Sequence, residues 1–174
     1  RDFEAILMMN TILGGQFTSR LNLNLREKHA YSYGVRSGFD MRRGPGPFQV
    51  ATSVRTDVSG PAVQEIFKEI EGIRSGPVKP AELTLAKDSF SRSLPALFET
   101  SVQSAASVGA LFVYGLPLDY YGGLPASIQA VNAADVQRVA TQYLKPDKLT
   151  VVAVGDRSKL EPELKALNRG AVEV

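Results

Sequence analysis

One short stretch gathers most of the side chains in this chain that could do chemistry. Residues 24–39 read NLREKHAYSYGVRSGF and hold the single histidine, His29, among Arg26, Glu27, Lys28, Tyr31 and Tyr33. Imidazole is a proton carrier near neutral pH, guanidinium and phenol are hydrogen-bond donors, and a glutamate is a base or a ligand. A self-contained site needs such groups in sets, and the sets are missing. Zinc takes three or four ligands from Cys, His, Asp and Glu, and one histidine with no cysteine cannot build a usual zinc site. A Ser-His-Asp triad would have to use His29, and no G-x-S-x-G turn presents a serine to it. No EF-hand spacing of acids occurs. LGGQFTS at 13–19 lacks the G-K-[ST] ending of a phosphate loop, so it reads as a helix stop and start. Gly34 and Gly38 read as bulge or close-approach glycines, not as a dinucleotide fingerprint.

Judged by residue chemistry alone, this is a non-catalytic domain. Arg26 is then a surface ion-pair partner of Glu27 or a neighbour, and Tyr33 a sheet aromatic. His29 reads as an exposed residue at a helix end, where its protonated form suits the helix dipole. Arg36, Arg42 and Arg43 read as a solvated hairpin face, Tyr120 and Tyr121 as packing residues, and Arg20 as structural.

Composition narrows the setting. The 174 residues suffice for one ordinary domain with a real core, and 44% hydrophobic with 22% charged residues is a soluble globular profile. A net charge of +2 is too slight to argue for nucleic acid or an anionic membrane. The absence of cysteine excludes disulfides and thiolate sites and is compatible with periplasm or cytoplasm alike. No apolar run approaches the roughly 18 residues of a membrane span. The chain opens at Arg1 within an apparent helix interior, so it is expected to be part of a longer protein.

The elements that must position these groups follow from periodicity. Phe3, Ile6, Leu7, Met9 and Leu13 recur at helical spacing, so 2–13 is expected to be an amphipathic helix stopped by Gly14-Gly15. Ser19 caps a second helix through about Lys28, although LNLNL at 21–25 also fits strand alternation. Residues 31–40 and 48–56 form a hairpin around the RRGPGP turn at 42–47. Val63, Ile66, Phe67, Ile70 and Ile73 mark a helix over 59–74. Pro80 starts a long helix whose stripe runs from Leu83 to Phe112, with Pro95 kinking or dividing it. Residues 115–125 read as a loop with a short helix, Asn132 and Asp135 as a capping box, and 158–168 as a last helix. LTVVAVG at 149–155 is a continuous apolar run of strand length and predicts a buried interior strand. The expected fold class is α+β: a two-layer domain with a mainly antiparallel mixed sheet packed against helices.

The stretch LMMNTILGGQFTSRLNLNLREKHAYSYGV resembles the second-half signature of the pitrilysin/insulinase zinc metallopeptidases, the inverzincins, and bacterial members above all. The likeness continues through PAELTLAKDSF, LPLDYY, IQAVNAADVQRVATQYLKPDKLTVVAVGD and RGAVEV, so it spans nearly the whole chain. It implies a clamshell of two homologous halves, each of two related α+β domains, closed around a peptide. The catalytic half binds zinc through H-x-x-E-H and a downstream glutamate. Here His29 is followed by Ala30, Tyr31 and Ser32, so that motif is absent. The resemblance therefore implies that residues 1–174 are a single domain, the C-terminal (fourth) domain of a longer peptidase chain or of its Arg/Tyr-bearing subunit.

In such domains an arginine and a tyrosine seven residues apart reach across to the zinc site, and Arg26 and Tyr33 match that pair. Tyr31 falls where the family has an apolar residue and inherits no role. Negative charge develops on the scissile carbonyl oxygen during zinc-assisted hydrolysis, and one donor aimed at it is worth about 2.7–4 kcal/mol. Arginine suits the task because it stays charged and is less hydrated than lysine. The resemblance thus implies Arg26 and Tyr33 as catalytic donors, no cofactor or metal in this chain, zinc in a partner domain or subunit carrying H-x-x-E-H, and a peptide substrate. An edge of the hairpin is also expected to pair with extended substrate. The alternative is an inactive scaffold, since relatives of this fold serve as core subunits of larger complexes.

Overall fold

The computed structural model describes residues 2–174. Helix α1 (Phe3–Asn10) widens into a π-helical turn over Thr11–Gly15, and α2 (Arg20–Asn22) into another over Leu23–Lys28. The hairpin follows as β1 (Ser32–Phe39) and β2 (Phe48–Val54). Six helices complete the fold: α3 (Ser59–Ser75), α4 (Pro80–Ser93), α5 (Ser101–Tyr114), α6 (Tyr120–Ala130), α7 (Ala133–Tyr143) and α8 (Arg157–Ala166). This is an α+β domain in which a small antiparallel sheet packs against several helices.

The core is organised around α1. Met8, Met9 and Leu13 are fully buried, with Ala5, Ile6 and Ile12 nearly so, while Phe3 is 40% exposed. The single apolar stripe expected from periodicity is too narrow, because α1 packs against α7, α6 and α4 and also touches β1. A helix covered from several directions is apolar around most of its circumference. Gly14 and Gly15 lie inside the last turn rather than beyond it, and the chain becomes extended at Gln16. A Cβ on Gly14 would sit 2.5 Å from Ser37 Oγ and 2.9 Å from Leu21 Cδ1, so glycine lets this turn press against β1 and α2.

Local signals set most boundaries. Asn132 Oδ1 accepts from the Asp135 amide at 3.0 Å and Asp135 Oδ2 accepts from the Asn132 amide at 3.1 Å, the reciprocal box that starts α7. Pro80 occupies the first turn of α4, where a missing N–H costs nothing. Pro95 falls in a 3₁₀ turn, Leu94–Phe98, where α4 gives way, and beyond Phe98 the chain bends by 106° into α5. Among the described residues no single helix is long and apolar enough to cross a membrane.

One expectation fails. Residues 149–155 form no strand among the described residues, and Val151, Val152 and Val154 are 44%, 83% and 97% exposed. Four β-branched residues encode strand propensity, but a strand exists only where another strand pairs with it. The sheet has only β1 and β2, and neither reaches this segment with a backbone hydrogen bond.

Candidate functional site

Arg26 and Tyr33 each sit on irregular backbone. Arg26 lies in the π-helical turn Leu23–Lys28, whose extra residue per turn rotates side chains off the ordinary helical faces. The turn closes through His29 N–H to Asn24 O at 3.1 Å and Tyr31 N–H to Leu25 O at 2.8 Å. Ala30 then adopts φ 51°, a left-handed conformation that costs a non-glycine residue strain and swings the chain into β1.

Tyr33 lies on a β-bulge. Ser32 pairs with Val54 and Val35 with Thr52, so Tyr33 and Gly34 together face only Ser53. Such an insertion re-aims a side chain, and Tyr33 is 99% exposed. The Ser32 hydroxyl accepts from the Gly34 amide at 3.0 Å, and Thr52 Oγ1 donates to Gly34 O at 3.0 Å, so the bulge is fixed by local bonds. Tyr33 packs no core, and its hydroxyl has no hydrogen-bond partner among the described residues.

The Arg26 guanidinium lies 4.2 Å from the centre of the Phe17 ring. That contact holds the guanidinium against a phenylalanine that is itself 62% exposed and leaves its N–H groups available. The ion pair expected with Glu27 is present but loose, Nε to Oε1 at 3.5 Å. Arg26 is thus both paired and partly exposed, its side chain 35% accessible.

Asn22 links the two elements, and the sequence reading passed over it. It is 6% exposed. Its Oδ1 accepts from the Val35 amide at 2.9 Å, and its Nδ2 donates to Val35 O at 2.8 Å, Gln16 O at 3.1 Å and Ser19 Oγ at 3.1 Å. The carboxamide therefore pairs with Val35 as a neighbouring strand would, joining the helix of Arg26 to the strand of Tyr33. Ser19 is the N-cap by position, but its hydroxyl serves Asn22 and makes no capping bond to the backbone. The S-x-x-N spacing was the available signal, readable as a polar pair on one helical face.

The remaining candidates fall into structural roles. His29 ends the helix as expected, yet its side chain is only 25% exposed. It stacks on Tyr31 with ring centres 4.9 Å apart, and Nε2 lies 3.8 Å from Glu65 Oε2. Glu65 and Glu69 on α3 both accept from Asn24 Nδ2, at 2.7 and 2.6 Å, and the Asn24 bond leads the causes that hold the Glu65 carboxyl below its ordinary range. Arg20 is structural, bonded by Nε and Nη2 to the Glu82 carboxylate at 2.7 and 2.8 Å. Tyr121 donates to Ser107 O at 3.0 Å and packs edge-on to Tyr120, in keeping with packing roles. Arg36, Arg42 and Arg43 are exposed, and Arg42 pairs with Asp40.

The donor set does not fit a metal of the zinc type. No group of three His, Cys, Asp or Glu among the described residues converges closely enough to hold an ion, and the nearest approach to one already shares its oxygens with Asn24 and Lys68. What the arrangement offers is donors: a guanidinium held over a ring and an exposed phenol, with β1's outer edge taken at Val35 by Asn22. At Val35 the outer edge of β1 is therefore closed to a further strand.

No curated protein matches the chain. The peptidase M16 inactive domain from Pseudomonas fluorescens shares 28% identity at a TM-score of 0.77, over 84% of this chain and 35% of that one. A conserved protein from Enterococcus faecalis superposes with a TM-score of 0.72 at 23% identity, over 81% of this chain and 33% of that one. A protease from Helicobacter pylori gives 0.72 at 22%, over 83% and 35%. The chain thus spans about a third of the length of these structures. The family model of the peptidase M16 inactive domain matches residues 1–90, which run from α1 through α3 into α4 and include both π-helical turns, and the chain belongs to that family.

Proposed function

We propose that this domain presents Arg26 and Tyr33 as hydrogen-bond donors to a peptide bound at a zinc site carried by another domain or subunit. Residues 1–174 are in this reading the last domain of a longer peptidase chain, or of its Arg/Tyr-bearing subunit, and the other half carries H-x-x-E-H. The zinc half supplies the hydrolytic chemistry. This chain binds and orients: the phenol O–H and a guanidinium N–H meet carbonyl oxygens whose negative charge grows as the reaction proceeds.

The observation that carries the reading is Tyr33. A tyrosine 99% exposed on a bulge fixed by its neighbours, its hydroxyl without a partner among the described residues, gains nothing for the fold by that placement. Family membership adds a peptidase context, and the relatives' greater length leaves room for the other half.

The test uses the assembled peptidase. Arg26→Ala and Tyr33→Phe should each lower peptide turnover at least tenfold, equivalent to about 1.4 kcal/mol, with zinc occupancy and thermal stability unchanged. Wild-type turnover in both variants removes the role and leaves the scaffold reading.

A further inference from the structure

The turn that carries Arg26 is fastened to α3 at its start and is one proton short of being fastened at its end. At the start, Asn24 Nδ2 donates to Glu65 Oε2 and Glu69 Oε1, at 2.7 and 2.6 Å. At the end, His29 brings Nε2 to 3.8 Å from the same Glu65 oxygen, which is beyond a hydrogen bond. That nitrogen is buried and has no hydrogen-bond partner among the described residues. A buried polar atom left unpaired is costly and asks for a reason. A neutral imidazole donates from only one nitrogen, and a second proton makes both of them donors. A charge-assisted bond of roughly 2.8 Å to Glu65 then needs a ring movement of about 1 Å.

The charged groups around the ring leave that place open. On α3, Lys68 reaches the Glu65 carboxylate from the solvent side at 3.3 Å and is 64% exposed, and Glu69 is taken by Asn24. Beyond β2, Arg55 is paired with Asp57 and also donates to Ala30 O. On the turn itself, Arg26 is engaged with Phe17 and Glu27. The Asn24 bond leads the causes that hold the Glu65 carboxyl below its ordinary range, so Glu65 is ionised wherever an imidazole titrates. The His29 ring also stacks on Tyr31, whose N–H closes the turn onto Leu25 O before the chain enters β1. His29 thus stands between the turn of Arg26 and the bulge of Tyr33.

We propose that His29 is a positioning residue worked by pH: protonated, it donates from Nε2 to Glu65, fastens the far end of the turn to α3 and holds Arg26 and Tyr33 in one arrangement; neutral, it leaves that end unfastened. The proposal rests on the reading of Arg26 and Tyr33 as donors to peptide, and His29 itself touches no substrate. It is the only histidine in a chain without cysteine, so a side-chain titration between about pH 6 and 8 in these residues belongs to it.

The experiment compares peptide turnover by the assembled peptidase with that of its His29→Gln variant at matched pH. Titrations of the zinc half are common to both and cancel in the ratio. The ratio of wild-type to variant kcat/KM should rise at least roughly threefold as pH falls from about 8 to about 6. A second readout needs no turnover. Trifluoromethylphenylalanine in place of Tyr33 carries no titratable group, and the position is 99% exposed. Its ¹⁹F signal in the assembled peptidase should move over the same pH range, and His29→Gln should abolish the movement. Where Arg26→Ala and Tyr33→Phe lower turnover but the ratio does not change with pH, the donor reading stands and the role of His29 is overturned. Where those two variants turn over as wild type, the donor reading fails and the fluorine signal alone decides the fastening. A movement abolished by His29→Gln then supports it, and a signal that is flat, or that moves equally in His29→Gln, overturns it.

Discussion

The two outer edges of one hairpin have opposite fates. β1 is closed by a side chain: Asn22 takes both backbone groups of Val35, Val35 is fully buried, and Ser37 donates to Asn10 Oδ1 at 2.8 Å. β2 is left open, facing an apolar groove and a run of exposed valines. A closed edge fixes the register and bearing of whatever the strand carries, and β1 carries Tyr33. An open edge fixes nothing until something pairs with it. Rigidity is therefore concentrated where the proposed donors are.

The comparison breaks most directly at Asn22. Asn22→Leu keeps the branched shape with bulkier methyl groups and strips partners from the buried amide and carbonyl of Val35 and from Gln16 O. Each orphaned buried group costs about 1–3 kcal/mol, so urea titration should show a loss of roughly 2–4 kcal/mol. A loss below about 0.5 kcal/mol would mean that the closed edge is no firmer than the open one. On the proposed function, the same variant should also lower peptide turnover, because Arg26 and Tyr33 no longer share a rigid support.

A smaller effect tests how α2 is anchored behind that edge. Glu82 accepts two bonds from Arg20 and one from the Lys79 amide, so it holds α2 to α4 and starts α4 at once. Its carboxyl is pulled below its ordinary 4.5, chiefly by the Arg20 bond. A depressed folded-state value stabilises the fold fully above the unfolded value and loses that contribution as pH falls through the folded value. Stability should therefore be flat above about pH 5 in respect of this pair and decline below 4.5. Glu82→Gln should remove that part of the acid dependence at a cost of about 1–2 kcal/mol at neutral pH, read from paired denaturation curves at pH 7 and pH 4.

What the sequence made legible follows the same division. Features encoded within a few residues of themselves were readable: the Asn132–Asp135 box, the break at Pro95, the hairpin turn and the helix from Ser59. Gly34 was readable as a bulge glycine, and the bulge is there. The candidate pair Arg26 and Tyr33 came from family resemblance, because neither residue type signals a site on its own. Features set by distant partners were hidden. The role of Asn22 depends on Val35, thirteen residues on, and the surroundings of His29 include Glu65 from α3. The late strand failed for the complementary reason: its residues state what they prefer, and the partner that would realise the preference is not among the described residues.

The smallest expected effect sharpens the comparison because it is a matched pair. Val35→Ala and Val152→Ala remove the same two methyl groups, one from a fully buried residue on the closed edge and one from a residue 83% exposed on the open side. Burial at about 25 cal/mol per Å² with a cavity term predicts roughly 2 kcal/mol for Val35→Ala. Val152→Ala has almost no contact to lose and should stay within about 0.5 kcal/mol in this chain. Calorimetry on both variants measures the contrast directly. An equal loss at both positions would show that 149–155 is packed within the isolated chain, so that the groove closes on itself and the two edges of the hairpin are alike.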